Sequence, residues 1–386
     1  MRPSARALGL LPAVVLGDAA RAPFRRLLPP RYGIAPGSLE AAVDWLCLSH
    51  EATGRRGSSK GFSLVFGWEA PYPETTGYVI GTLLAYASRS GAERYREHAR
   101  SMGDWELAIQ SEDGGIMGGQ LRGAPKPSID FNTGMVLHGW LDLHEALGDE
   151  RYLDAARRAG HFLVRVQDRD GAWRGSHAYR GIPHAYNARV AWALLRLAER
   201  SGDDGSRSAA LSNLDWVLAR QHDNGWFESC EFKPGALPNT HALAYTLRGL
   251  LESHAIVGDA AMLEAALKTS EVLIRKLEVL ETLPATFDRD WTPRASYICV
   301  TGLAQLGGVW LRLYELTGDA RLLNAGLKAV DQAASFQSRR RFAPLDGPLP
   351  GSVPIWGRYA PLQYPNWATK FLADSLMLRE RCLAAV

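Results

Sequence analysis

The stretch Phe131–Trp173, FNTGMVLHGWLDLHEALGDERYLDAARRAGHFLVRVQDRDGAW, decides the fold. Met135, Val136, Leu137, Trp140, Leu141, Leu143 and Leu147 fall close to helical spacing. Gly148 stops that helix, and Asp149 is placed to cap the next. A second apolar series, from Tyr152 and Leu153 through Ala156 and Ala159 to Phe162, Leu163 and Val166, ends at Asp170-Gly171. The stretch reads as a helical hairpin of roughly forty residues, a typical period for two-helix repeats.

The unit recurs. Thr76-Gly77 opens a helix that turns at Ser90-Gly91, and its return helix ends at Gln110. Others open at Tyr186-Asn187, Thr240-His241 and Thr301-Gly302, and turn at Ser201-Gly202, Gly258-Asp259 and Gly318-Asp319. The first helix of each unit is the more apolar, and the second carries its charges at regular offsets. Helices apolar all round are buried and one-sided helices face water. The pattern therefore predicts an inner and an outer ring. Two helices lack partners: an outer-type helix over 39–51 and an inner-type helix over 366–383. Pairing them makes a sixth hairpin and closes an all-α (α/α)6 toroid. Residues 38–386 form that single domain, and residues 1–37 read as an irregular lead containing Pro29-Pro30.

Composition excludes several classes. Of 386 residues, 46% are hydrophobic and 22% charged, ordinary values for a globular chain. The net charge of +3, with Lys and Arg spread along outer-helix faces, gives no footprint for nucleic acid. Four cysteines (Cys47, Cys230, Cys299, Cys382) lack metal-ligand spacing and read as buried thiols. No histidine pair has H-x-x-x-H spacing, so neither metal nor cofactor is expected. No apolar run reaches the roughly eighteen residues of a membrane span. At the N-terminus, Arg2 and Arg6 precede the apolar run Ala7–Gly17, and Ala20-Arg21-Ala22 resembles a cleavage site. Pro12 and Asp18 interrupt that run, and Arg25-Arg26 follow it. A surface-docked or frayed lead gives a cytoplasmic protein; a signal peptide over 1–22 gives a periplasmic or secreted one.

Closure also places a site. Turns within hairpins are short, whereas the connections between hairpins are long and rich in aromatics and acids. All of the long connections meet at the rim where inner helices begin, exposing unpaired N–H groups and positive dipole ends. Such a funnel suits a polyhydroxylated ligand. Bond cleavage between sugars needs two carboxyl groups. Glu74 and Asp130, beside the openings of two inner helices, are the leading pair, and each also sits where a helix-capping acid belongs. Asp288, in FDRDW, is a third candidate. His241 is a candidate base or orienting group, or else a histidine bonded to a neighbour. Tyr186 and Asn187 open the third inner helix, Asn366 opens the last, and Arg189 suits a substrate carboxylate or a rim acid. Trp226, Trp291, Tyr297, Trp356, Tyr359 and Tyr364 are candidates for stacking on sugar faces or for packing under the loops.

The six-hairpin plan, from about Ser38 to Leu383, resembles the six-hairpin glycosidase superfamily and its toroid relatives. Those relatives include N-acylglucosamine 2-epimerases, unsaturated glucuronyl hydrolases and glucuronyl C5-epimerases. Three segments, FNTGMVLHGWLDLHEALGD, HAYNARVAWALLRLAE and PIWGRYAPLQYPNWATKFLADSLML, are similar to an uncharacterised bacterial toroid family tied to polysaccharide biosynthesis. The resemblance implies a carbohydrate substrate, hydrolysis or epimerisation or a related lyase step, and partners in polysaccharide assembly. A glycan-binding protein without catalysis is the alternative from another class. Gln167–Trp173 also resembles the QxxxGxW motif of squalene cyclases, which ties outer helices together; the catalytic DxDD motif of those enzymes is missing.

Overall fold

The computed structural model describes residues 3–27, 33–121, 126–340 and 343–385, with the backbone path alone over 20–27. After an N-terminal helix α1 (Ala5–Leu27) and a helix α2 (Ser38–Glu51), five hairpins follow. They are α3 (Pro73–Ser90) with α4 (Glu93–Ile109), α5 (Asp130–Leu147) with α6 (Glu150–Arg165) and α7 (Ala188–Ser201) with α8 (Asp204–Leu218). Then come α9 (Thr240–Val257) with α10 (Ala260–Leu280) and α11 (Val300–Thr317) with α12 (Ala320–Ser335). A final helix, α13 (Asn366–Ala384), completes the chain. Helices α3, α5, α7, α9, α11 and α13 pack in sequence around a closed inner ring, α13 returning to α3. Helix α2 packs on α13, so the two orphan helices of the sequence make the sixth hairpin. The chain is an (α/α)6 toroid.

The Gly-Asp turns act as the sequence implies. Gly148, Gly202, Gly258 and Gly318 end inner helices in the left-handed conformation. The next residue, Asp149, Asp203, Asp259 or Asp319, accepts the N–H two residues on and caps the outer helix. Inner helices approach closely where side chains vanish. A Cβ on Gly77 would stand 2.5 Å from the Val136 Cα, and one on Gly139 would stand 2.3 Å from the Gly77 carbonyl. The α3–α5 crossing therefore demands glycine on both sides.

One residue type stitches the outer ring. Gln110 Nε2 donates to the Gly114 and Ala155 carbonyls, Gln167 to Gly171 and Ala209, and Gln221 to Ala265. Each link joins the end of one outer helix to the middle of the next. Gln337 closes the circle, donating to the Gly347 and Ser38 carbonyls at 2.7 and 3.0 Å. Trp173 Nε1 bonds the Leu163 carbonyl at 3.0 Å. The QDRDGAW motif is thus a structural clamp.

Short strands sew the rim. β1 (Gly61–Ser63) pairs antiparallel with β2 (Gly67–Trp68) and with β5 (Gln363–Pro365), setting Phe62 opposite Trp68 and Tyr364. β3 (Ile298–Cys299) pairs with β4 (Ser352–Val353). The long connections are thereby fixed to one another.

The lead corrects the sequence reading, which makes it irregular. Over Ala5–Leu27 it is helical, Pro12 included. Proline removes one helical hydrogen bond and crowds the preceding turn; here Pro12 lies on the exposed face, where water can reach the freed carbonyl. Ala7 and Val14 are buried against the toroid. Ser4 N–H bonds the Val65 carbonyl, Asp18 accepts the Ile355 N–H at 2.7 Å, and Arg340 bonds the Ala13 carbonyl. Helix α1 therefore straps the rim between the two connections that flank the ring closure. The Pro29-Pro30 break lies outside the described residues.

Candidate active site

Helices α3 and α5 begin a little earlier than their periodicity suggests, so Glu74 and Asp130 lie inside the first turn rather than ahead of it. Neither carboxylate caps its helix through the N–H groups two or three residues on. Asp130 is fully buried. Its Oδ1 accepts the Phe131 N–H at 2.6 Å, and its Oδ2 accepts Asn187 Nδ2 at 2.7 Å. Burial drives its pKa up to about 7 against the pull of those donors. Glu74 is half-buried and accepts the Tyr72 hydroxyl at 2.5 Å. Burial raises it to about 7 as well; the Tyr72 bond, Lys60 and Arg189 oppose the rise. Two acids on neighbouring inner helices are therefore both poised near neutrality. Burial raises the Tyr186 pKa, and the charges of nearby Asp130 and Glu74 add to the rise.

Aromatic rings gather beside these acids. Phe131 stands 5.0 Å from Tyr186 and 5.2 Å from Tyr245, and His184 stacks on Tyr186 at 4.4 Å and 15°. His241 packs on Tyr245 at 4.2 Å, with Tyr359 and Phe371 edge-on at 5.7 and 6.0 Å. The His241 Nδ1 bonds Gln305 Oε1, an oxygen that can only accept, so Nδ1 carries the proton and Nε2 is an acceptor. Burial holds the His241 pKa down to about 3, the Gln305 bond opposing. At neutral pH this ring is uncharged. It is suited to accept a hydroxyl hydrogen and poorly suited to collect a proton as a general base.

Arg189 is the second residue of α7. It is buried, and its charged plane lies 5.0 Å from the Tyr245 ring centre, 5.6 Å from Trp192, 5.7 Å from Phe371 and 6.0 Å from Tyr78. No carboxylate among the described residues pairs with it, and its Nε is buried without a partner. Its guanidinium stays charged at any working pH, and the aromatic faces supply part of the lost hydration. The neighbouring cation Lys370 differs: it bonds Asp374 at 2.5 Å, and Asp374 also accepts Thr82 at 2.7 Å. The rim-acid alternative for Arg189 therefore does not hold.

Several expected contacts are engaged elsewhere. Asp288 accepts the Thr292 and Asp290 N–H groups and pairs with Arg294 at 2.7 Å, which holds it below the usual carboxylate range and makes it a loop brace. Trp226 and Trp291 are buried edge-to-face against each other at 5.2 Å, and Trp291 donates to the Asn224 carbonyl; neither face is free for a sugar. Asn366 spends its amide N–H groups on Ser58 and Thr75. Tyr364 is buried in the rim sheet, and Tyr297 packs under Gly357. Trp356 sits exposed on the outer rim. Tyr186, Asn187, Arg189, His241 and Tyr359 do converge with Glu74 and Asp130.

Sequence reasoning missed Tyr72, Tyr78, Tyr245, Gln305, Lys370 and Phe371. Signals existed: Tyr78 and Tyr245 lie one turn beyond Glu74 and His241 and share their helix faces. Gln305 lies among Leu303, Ala304 and Leu306, and Lys370 is followed by Phe371, Leu372 and Ala373. Among the described residues no group of three His, Cys, Asp or Glu side chains is placed to hold a metal ion.

Solved structures share the architecture. An unsaturated glucuronyl hydrolase specific for heparin aligns with a TM-score of 0.69 at 14% identity, over 90% of this chain and 97% of that one. The unsaturated glucuronyl hydrolase of Bacillus sp. GL1 aligns with 0.68 at 16% identity, over 89% and 96%. The cellobiose 2-epimerase of Bacillus thermoamylovorans aligns with 0.69 at 11% identity, over 89% and 97%. These proteins share the six-hairpin toroid fold with this chain. No family model matches it, and the narrower likeness to the bacterial toroid family rests on the three sequence segments alone.

Proposed function

We propose that this chain is a carbohydrate-active enzyme that hydrolyses a glycosidic bond with Glu74 and Asp130 as the catalytic pair. The observation that carries the reading is the pair itself: two carboxyl groups on adjacent inner-helix starts, both pushed to about 7 by burial. Acid–base work at neutral pH needs one protonated and one ionised group, and such a pair supplies both. The two backbone and amide donors on Asp130 favour its ionised form, making it the base or nucleophile. Glu74, with the single Tyr72 donor, is the acid. Aromatic walls suit sugar faces. The sugar-processing activities of the fold neighbours support the substrate class.

Arg189 supports a finer reading, a uronic acid in the bound glycan. A buried guanidinium without an acid is matched by a substrate carboxylate, and that bond would be charge-assisted and bidentate. The same group would serve an epimerase or lyase acting beside a carboxylate, but His241, held near 3, is a weak proton acceptor for that step. Time-resolved NMR in deuterated water, with uronic-acid and neutral oligosaccharides, separates these readings. New reducing ends that vanish in Glu74→Gln and Asp130→Asn support hydrolysis. Deuterium entering C2 or C5 without cleavage sinks it in favour of epimerisation. Ligand line broadening without turnover makes the chain a glycan-binding protein.

A further inference from the structure

The N-terminal strap has two faces. Ala7 and Val14 are buried on the rim, with Leu10, Leu11 and Val15 partly buried against it. Apart from Arg6 the opposite face is apolar: Ala5, Leu8, Gly9, Pro12, Ala13, Leu16 and Ala19 are exposed, Leu16 at 68% and Leu8 at 40%. An unpartnered apolar stripe on a pinned helix is unusual for a surface that meets only water. The loops pinned to α1 extend it. Phe66, next to the Val65 that holds Ser4, is 38% exposed, and Trp356, next to the Ile355 that holds Asp18, is 45% exposed.

Charge names the occupant. Residues 1–39 contain six arginines and one acid, Asp18, whose carboxylate is engaged with Ile355. The rest of the chain has 38 cations against 40 acids, so the basic charge of the protein lies in its lead. This revises the even spread read from the sequence. Arg340, inside the run Arg339-Arg340-Arg341, bonds α1 directly at the Ala13 carbonyl. An apolar helix face, flanking arginines and rim aromatics together match an anionic lipid interface, where apolar area and electrostatic attraction add and tryptophan prefers the headgroup level.

We infer that α1, with Phe66 and Trp356, is a peripheral docking surface for anionic bilayers that sets the mouth of the toroid against the membrane. No described helix is long and apolar enough to cross one, so the attachment is interfacial. The inference stands apart from the hydrolase reading, because it needs no catalysis.

The test is co-sedimentation of the full chain, its intact N-terminus verified by mass, with sucrose-loaded vesicles of phosphatidylglycerol and phosphatidylcholine. Binding to phosphatidylglycerol vesicles is expected to weaken at least about tenfold in Leu8→Asp/Leu16→Asp and in Arg25→Glu/Arg26→Glu, and to fall with salt. Leu8 and Leu16 lie outside the toroid core, so the thermal melt of their double variant should match wild type; a variant that melts early is replaced by Leu16→Ser. Tryptophan emission should shift to the blue on binding and lose that shift in Trp356→Phe. Equal binding to pure phosphatidylcholine, or binding indifferent to both double variants, overturns the proposal. A dimer in light scattering that Leu8→Asp/Leu16→Asp dissolves assigns the face to a second copy and overturns it too. Recovery of a natural chain cleaved near residue 22 does the same.

Discussion

The mouth half and the far half of the same barrel treat charge in opposite ways. In the far half the buried charges of the inner helices have an answer. Arg196 bonds Asp142 at 2.7 Å and His138 at 3.1 Å. Glu252 is held by Arg248 at 2.8 Å and by Arg312 at 3.2 Å, and Glu315 joins Arg312 to Arg381. Burial alone would raise the Glu252 pKa, but its arginines outweigh it and hold the group low. In the mouth half Arg189 lacks an acid, and the acids lack cations close enough to keep them ionised. A folded chain loses stability by leaving such groups unmatched. Where both arrangements sit on the same six helices, the unmatched half is the one we propose takes the ligand.

The largest expected effect breaks the mouth half. Asp130→Asn and Glu74→Gln should each lower turnover by about 10²- to 10⁴-fold. Both should gain stability relative to wild type as pH rises. The sign follows from the raised folded-state values: between about 4 and 7 the folded chain holds protons that the unfolded chain has released, so stability falls as pH climbs through that window. Thermal melts across pH 4–7 should show the wild-type decline flattened in each variant. A steeper decline would mean that the carboxylates are stabilised by partners, as in the far half. In Asp130→Asn, the Asn187 amide can turn to meet the substituted side chain, since its Oδ1 has no partner.

Next, Arg189→Met should cut kcat/KM for a uronic-acid glycan by about 10²-fold, the worth of a charge-assisted bond, and leave a neutral glycan little changed. Its melting temperature should hold, because no acid is stranded. Arg312→Met is the mirror experiment. It removes one of the two arginines on each of Glu252 and Glu315, so it should cost on the order of 1 kcal/mol of stability and spare turnover. Equal destabilisation by the two variants would erase the distinction between the halves.

The smallest effect sharpens the comparison at its exception. Glu106, on outer helix α4, is fully buried with both oxygens unbonded, and burial raises its pKa well above the usual range. It lies on an outer helix, apart from Glu74 and Asp130, so Glu106→Met should leave turnover alone and raise stability by roughly 1 kcal/mol at neutral pH. The gain should shrink toward acid pH, where the wild-type carboxyl is protonated in both states. A loss of turnover would give this group a place in the site.

Much of the architecture was legible because it is local and periodic. Helical spacing acts within a few residues and the Gly-Asp turns repeat at a fixed interval, and two orphan helices left one way to close. The lead was read less well, since the helix there depends on packing Ala7 and Val14 against the toroid, held by loops around Val65 and Ile355 that lie far along the chain. The site was half legible. Glu74, Asp130, Tyr186, Asn187, Arg189 and His241 announce themselves by position at helix starts.

What the amino-acid order determined by itself was the ring, its direction, and the rim at which polar and aromatic residues gather; periodicity and turn chemistry are enough for that. Only the tertiary structure decided which of those residues come together. Trp226 and Trp291 turned to each other, Asp288 to Arg294, and Asn366 to Ser58, because each found a partner across a loop whose path no local rule fixes. Burial, which lifts two carboxyls to about 7 and leaves Arg189 without an acid, is a property of six helices packed together. It exists in no single one of them.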